Sequence, residues 1–184
     1  MALSSDDLDA WLPEPDIRTC HRRAADAEAS ALWAAAQGVR LDQTRTIGRL
    51  VRWRIPDVAR EQSFAELLSE DPFAVLDEGE QWSISGLCGR IWTLARDYPP
   101  IHGPEQFRAY DEPRSVRVLF AHWVQEDGRG RSTLFSEARV APTDRVAAAR
   151  LRALWVVVGP FERLIGAEPL ALAVARAEGR GDAL

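Results

Sequence analysis

Two alternating stretches, Val116 to Glu126 and Ser132 to Val140, flank the tetrapeptide Asp127-Gly128-Arg129-Gly130. An Asp-Gly step between alternating apolar runs is a strong short-range signal for a β-hairpin. After Pro142, Thr143 or Asp144 is placed to cap a long helix. In that helix Val146, Leu151, Leu154, Trp155, Val158, Phe161 and Ile165 recur at helical spacing. Gly159-Pro160 is expected to kink or split it. The helical pattern then resumes to about Glu178 and ends at Gly179-Arg180-Gly181. A hairpin leading directly into a long amphipathic helix points to an α+β arrangement in which the sheet packs around that helix.

The preceding residues read as further pieces of that arrangement. Residues 1–14 form an acidic arm, expected to be loosely held with Trp11 and Leu12 pinned down. Ile17 to Arg22 alternates as an edge strand does. Asp26 is placed as the N-cap of an alanine-rich helix over Ala27 to Gln37, stopped by Gly38. Residues 43–55 fit a helix or a strand, lean helical and end at Pro56, and Phe64 to Leu68 reads as a short helical turn or a loop. From Phe73 the character becomes β: Phe73 to Leu76, Trp82 to Leu87 and Arg90 to Leu94 read as short strands. Phe107 to Tyr110 reads as another, entering a turn at Asp111-Glu112-Pro113. No internal repeat interrupts this, so residues 15–178 are assigned to one domain and residues 179–184 to a flexible C-terminal tail.

Composition narrows the function classes. At 184 residues with 46% apolar and 28% charged side chains, the chain is globular and needs no disulfide staples. All 23 basic residues are arginine, and the absence of lysine and asparagine fits a GC-rich bacterial genome. The net charge of −5 argues against a nucleic-acid partner, because Asp42, Asp57 and Glu61 surround the Arg49, Arg52 and Arg54 cluster. No apolar run reaches the roughly 20 residues needed to span a bilayer. The acidic start is unlike a signal peptide, and a cytoplasmic protein with reduced thiols is expected. Cys20 and Cys88 fit no metal-ligand spacing, and His21, His102 and His122 are scattered, so no metal or cofactor is expected. Gly86-Leu87-Cys88-Gly89 is apolar, which predicts an inert buried thiol.

The order of these elements resembles the SRPBCC superfamily, also called START-like or helix-grip proteins, which includes polyketide cyclase/dehydrase-like and lipid-transfer members. The resemblance is strongest from Trp82 to Glu178. It runs through Gly89-Arg90-Ile91-Trp92, Leu134-Phe135-Ser136-Glu137-Ala138-Arg139-Val140 and Thr143-Asp144, then the helix with Trp155 and Pro160-Phe161. It implies a curved antiparallel sheet gripping the C-terminal helix, short helices after the first strand, and a cavity between sheet and helix. The superfamily holds both enzymes and binders, so the likeness leaves catalysis open.

A turn centred on Gly128-Arg129 would set His122 opposite Phe135, Phe120 opposite Glu137 and Val118 opposite Arg139. These residues would then share one face, with Glu137 about 7 Å from Arg139 along the strand and His122 within about 7–8 Å of Glu137. An apolar wall with a few convergent polar groups suits a small apolar or amphipathic ligand. Arg90, Trp92, Phe120, His122, Phe135, Glu137, Arg139 and Trp155 are the candidate ligand-binding residues. A polyketide cyclase- or dehydratase-like reaction would use His122 as acid/base, oriented by Glu137 or Arg139. The structural alternative makes Glu137–Arg139 an ion pair at the rim or outer sheet worth about 0–1 kcal/mol, His122 a core histidine, Arg90 a solvated or paired arginine, and the tryptophans packing residues. A third reading makes Trp123, Leu119 and Leu134 an exposed interface patch, with homodimerisation left open.

Overall fold

The computed structural model of the chain describes residues 3–54, 58–93 and 98–180, the side chains at 53, 54 and 160–165 excepted. Its strands are β1 (Ile17–Ala25), β2 (Ala74–Gly79), β3 (Trp82–Gly89), β4 (Val116–Gly128) and β5 (Arg131–Pro142). They form one curved, unclosed antiparallel sheet in the spatial order β1-β5-β4-β3-β2. Helices α1 (Ala29–Gln37), α2 (Ile47–Arg54) and α3 (Phe64–Ser69) lie between β1 and β2, α4 (Pro104–Ala109) lies between β3 and β4, and α5 (Arg145–Ala177) follows β5. This is the α+β helix-grip layout expected from the order of elements. Among the described residues no helix is long and apolar enough to cross a membrane.

Local chemistry explains most helix starts. Ser63 and Glu66 form a capping box on α3, with Ser63 Oγ accepting from the Glu66 N–H and the Glu66 carboxylate from the Ser63 N–H. Asp144 caps α5 by accepting from the Ala147 N–H at 2.7 Å. For α2 the cap is tertiary: the Glu168 carboxylate of α5 accepts the N–H groups of Arg45, Thr46 and Ile47. The Gly159-Pro160 step does not split α5, which runs through all 33 residues. Proline removes one donor, toward the Val156 carbonyl, and Val156 is 77% exposed, so water can take its place.

Several expected elements are corrected. Asp26 does not cap α1; Glu28 holds that position, while the Asp26 N–H donates to Glu178 and its carboxylate pairs with Arg131. The described part of Arg90–Leu94 is a turn, because Gly89 leaves the strand at φ 135° and the Thr93 N–H bonds back to the Arg90 carbonyl. Residues 107–109 are helical rather than extended, with Pro104 at the start of α4 supplying a pre-set φ. Phe107 then packs directly on Gly86 of β3, where a Cβ would come within 2.7 Å of its ring. Pro56 and residues 181–184 lie outside the described residues.

The hairpin register also differs from expectation. Arg129 and Gly130, at φ 59° and 73°, form the two-residue turn, and Gly128 pairs with Arg131. A bulge at Asp127 follows, stabilised by the Thr133 hydroxyl donating to its carboxylate at 2.7 Å. His122 therefore faces Ser136, Phe120 faces Ala138 and Val118 faces Val140. This slip by one residue moves Phe135, Glu137 and Arg139 to the face opposite His122.

The face carrying Glu137 and Arg139 is covered by the N-terminal segment and α4. Trp11 and Leu12 are pinned down as expected, and Leu8 and Leu12 are fully buried against Ile84, Leu119, Trp123 and Phe107, so this arm is core rather than loosely held. Trp123 stacks on Phe135 at 5.0 Å beneath that cover, and with Leu119 it forms no exposed patch; Leu134 is buried on the other face. Glu137 and Arg139 are 1% and 0% exposed, so the pair lies on the outer face of the sheet, as the structural alternative has it, but is buried rather than a weak surface pair. The Arg139 guanidinium donates to Glu137 (2.7 Å), Asp9, the Leu12 carbonyl and the Ser5 carbonyl, while Arg18 and Ser5 complete Glu137. Removing one member of such a set strands buried charge and carbonyls. Arg139→Leu should therefore cost about 3–5 kcal/mol in urea unfolding. It should also expose the N-terminal segment to limited proteolysis at neutral pH.

Candidate functional site

The opposite, concave face of the sheet does not close on α5. Between them lies a cavity of about 730 Å³, walled also by α1, α2 and α3. Such a volume falls in the range of small-molecule sites. Its helix-side wall is mainly apolar, with Trp33, Val51, Phe64, Trp155, Val158 and Leu170 contributing beside Gln37, Glu66 and Ser69. The space persists because α5 is anchored at its ends. Ala147 and Leu151 are buried at one end and Leu170, Ala173 and Val174 at the other, while Trp155 and Val158 between them are only half-buried.

The sheet side of the cavity is graded. Cross-strand register aligns three successive rows of wall residues. Ile17, Val140, Val118 and Leu87 form an apolar row; Thr19, Ala138, Phe120 and Ser85 form a mixed one; His21, Ser136, His122 and Ser83 form a row with only polar side chains, and Val75 and Glu78 of the edge strand β2 flank Ser85 and Ser83. The alternation of each strand puts residues two apart on the same face, so the pattern is built by four short segments acting together. His21 lies against Gly166 of α5, where a Cβ would come within 2.2 Å of its ring, so the glycine is what lets imidazole and helix backbone meet.

Of the expected site residues, Phe120, His122 and Trp155 line the cavity. Phe135, Glu137 and Arg139 are on the other face, and Arg90 and Trp92 belong to the turn after β3, outside the cavity lining. Trp92 packs in the core with the Arg150 guanidinium 5.9 Å from its ring centre. The indole N–H groups of Trp92 and Trp123 are buried with no acceptor among the described residues. His21, Ser83 and Ser136 were missed. Alternation along β1 with Ile17 and Thr19 points at His21, but only the register joins it to His122.

Burial sets the protonation of the site. Desolvation lowers His122 to about 4, so at neutral pH it is an uncharged imidazole with one donor and one acceptor. Glu137 is not beside it, so the expected carboxylate-oriented acid/base pair does not form. Burial pushes the Cys88 thiol up to about 12, in keeping with an inert packing role. Among the described residues no group of three or more His, Cys, Asp or Glu side chains could hold a metal ion.

No family model and no curated protein matches the chain. Among solved structures it is similar to the ZhuI aromatase/cyclase from Streptomyces sp. R1128, at 12% identity and TM-score 0.37, over 90% of this chain and 98% of that one. It is similar to norcoclaurine synthase from Thalictrum flavum, at 15% identity and TM-score 0.36, over 89% and 84% of the two chains. A hypothetical protein from Helicobacter pylori matches at 10% identity and TM-score 0.41, over 92% and 93%. Likenesses this distant assign neither an activity nor a ligand, and both have to follow from the cavity.

The depressed His122 value carries a pH signature. The folded state binds fewer protons than the unfolded state between about pH 6.5 and pH 4, so stability falls as pH falls through that window. From pH 7 to pH 5 the loss assigned to this group is about 2 kcal/mol. Urea titrations of wild type and His122→Phe should differ by that amount in their pH 7-to-5 change; parallel curves would show that His122 is not desolvated.

Proposed function

We propose that the protein binds a small hydrophobic or amphipathic molecule in the cavity between its sheet and α5. The observation that carries this reading is a 730 Å³ space walled mainly by apolar side chains in a fold whose opposite face is closed down to single-residue packing. An unfilled apolar space lacks the dispersion contacts that a packed core would make, and a fitting ligand restores them.

Binding is favoured over acid/base catalysis for two reasons. His122 is neutral and has no carboxylate at its side, and the buried Glu137–Arg139 pair is occupied in holding the N-terminal segment. An imidazole whose ionisation lies near 4 is a poor general base at neutral pH.

Binding should be visible in tryptophan emission, because Trp33 and Trp155 line the space. A ligand at about 100 times its Kd should add about 2.7 kcal/mol of stability. Native mass spectrometry of protein purified from its own host should show a co-purified small molecule. Ala138→Phe, which projects a ring into the cavity from the sheet wall, should abolish the emission change while leaving the melting temperature equal or higher. A variant that still binds apolar ligands normally would refute the assignment of the site to this cavity.

A further inference from the structure

We infer that the bound molecule carries an uncharged hydroxyl or ketone at one end, received by the His21–Ser136–His122–Ser83 row, with its apolar body toward the Ile17–Val140–Val118–Leu87 row. The inference rests on the binding reading above and adds the chemistry and orientation of the ligand.

The row is a consequence of register. His21 is opposite Ser136, Ser136 opposite His122 and His122 opposite Ser83, and all four line the cavity. With strands about 4.8 Å apart, they span about 14 Å across four strands. The apolar row lies four residues away along each strand, about 13 Å, which is ample for a body of two or three fused rings. Across these three rows the sheet wall thus changes from hydrocarbon to hydrogen-bonding groups, with Leu134 beyond the polar row, and a ligand with the same gradient is favoured in one orientation over the reverse.

The groups in the row select the kind of polar end. Two serine hydroxyls and the neutral imidazole of His122 each combine a donor with acceptor capacity, which matches a hydroxyl or a ketone. An ionised end moved out of water needs an opposite charge nearby. His122 does not provide a positive one at neutral pH, and two carboxylates, Glu66 and Glu78, also line the cavity and would repel an anion. Glu66 already accepts the Ser63 N–H in its capping box, and Glu78, opposite Ser83 at the β2 end of the row, is exposed to water, so neither is a desolvated partner for a cation.

Four pyrene probes test this: 1-methylpyrene, 1-pyrenemethanol, 1-pyrenecarboxylate and 1-pyrenemethylammonium, titrated at pH 7 by energy transfer from tryptophan. In the wild type, 1-pyrenemethanol should bind more tightly than either charged probe. In Ser136→Ala its Kd should rise about 3- to 10-fold, the range for one lost hydrogen bond, while that of 1-methylpyrene stays within about twofold. His122→Phe should repeat the pattern, with thermal melts confirming that both variants are folded. Equal changes for the two neutral probes, or tightest wild-type binding by a charged probe, would overturn the inference while leaving the binding reading intact. If neither neutral probe binds the folded wild type, the binding reading fails first and this inference with it.

Discussion

The turn at Arg129-Gly130 and the bulge at Asp127 together place Val118 opposite Val140, and almost everything else about the sheet follows from that register. Because side chains alternate along a strand, a shift of one residue in β5 relative to β4 exchanges the entire set presented to each face. In the register adopted, Ser136 and Ala138 face the cavity, while Glu137 and Arg139 face the N-terminal segment. On β5 the small Ser136 and Ala138 leave room on the concave side, and the large or charged Phe135, Glu137 and Arg139 are consumed on the convex side.

The two faces are handled in opposite ways. On the convex face, a buried guanidinium is satisfied by two carboxylates and two backbone carbonyls, and Trp123 stacks on Phe135 under Leu8 and Leu12. Rigid closure there supports the curvature of the sheet from behind. On the concave face, α5 is fastened near its two ends and bridges the space between them, and Glu168 in its second half holds the start of α2 by three backbone N–H groups. A cavity of this size would be costly if it were left as a packing defect, so its apolar lining and graded sheet wall are best understood as features that a ligand completes.

Much of this architecture is legible along the chain, and the pattern of misses has a physical cause. The hairpin, α1 and α5 have strong turn, composition or periodicity signals and form close to where expected, with the α1 cap and the hairpin register shifted. The element at Phe107 was misread because six residues carry too little periodicity, and its helical state depends on Pro104 and on docking against Gly86. The arm was misread because Asp6, Asp7 and Asp9 mark a solvated segment, whereas the buried surface of Leu8 and the partner of Asp9 are supplied by strands far away in sequence. Of the site, Phe120, His122 and Trp155 were reachable from local alternation and His21 was hinted at along β1, but Ser83, Ser136 and the joining of all four were not, since nothing local brings two strands and a hairpin into one row.

Sequence alone therefore determined the order of elements, the presence of a long amphipathic helix after a hairpin, and the identity of residues able to make a wall. Those properties depend on local periodicity and capping, which are encoded within a few residues. Tertiary structure decided which of those residues meet. It set Glu137 and Arg139 behind the sheet and aligned two histidines and two serines in front of it, because register and docking are settled by contacts between distant segments competing for the same faces.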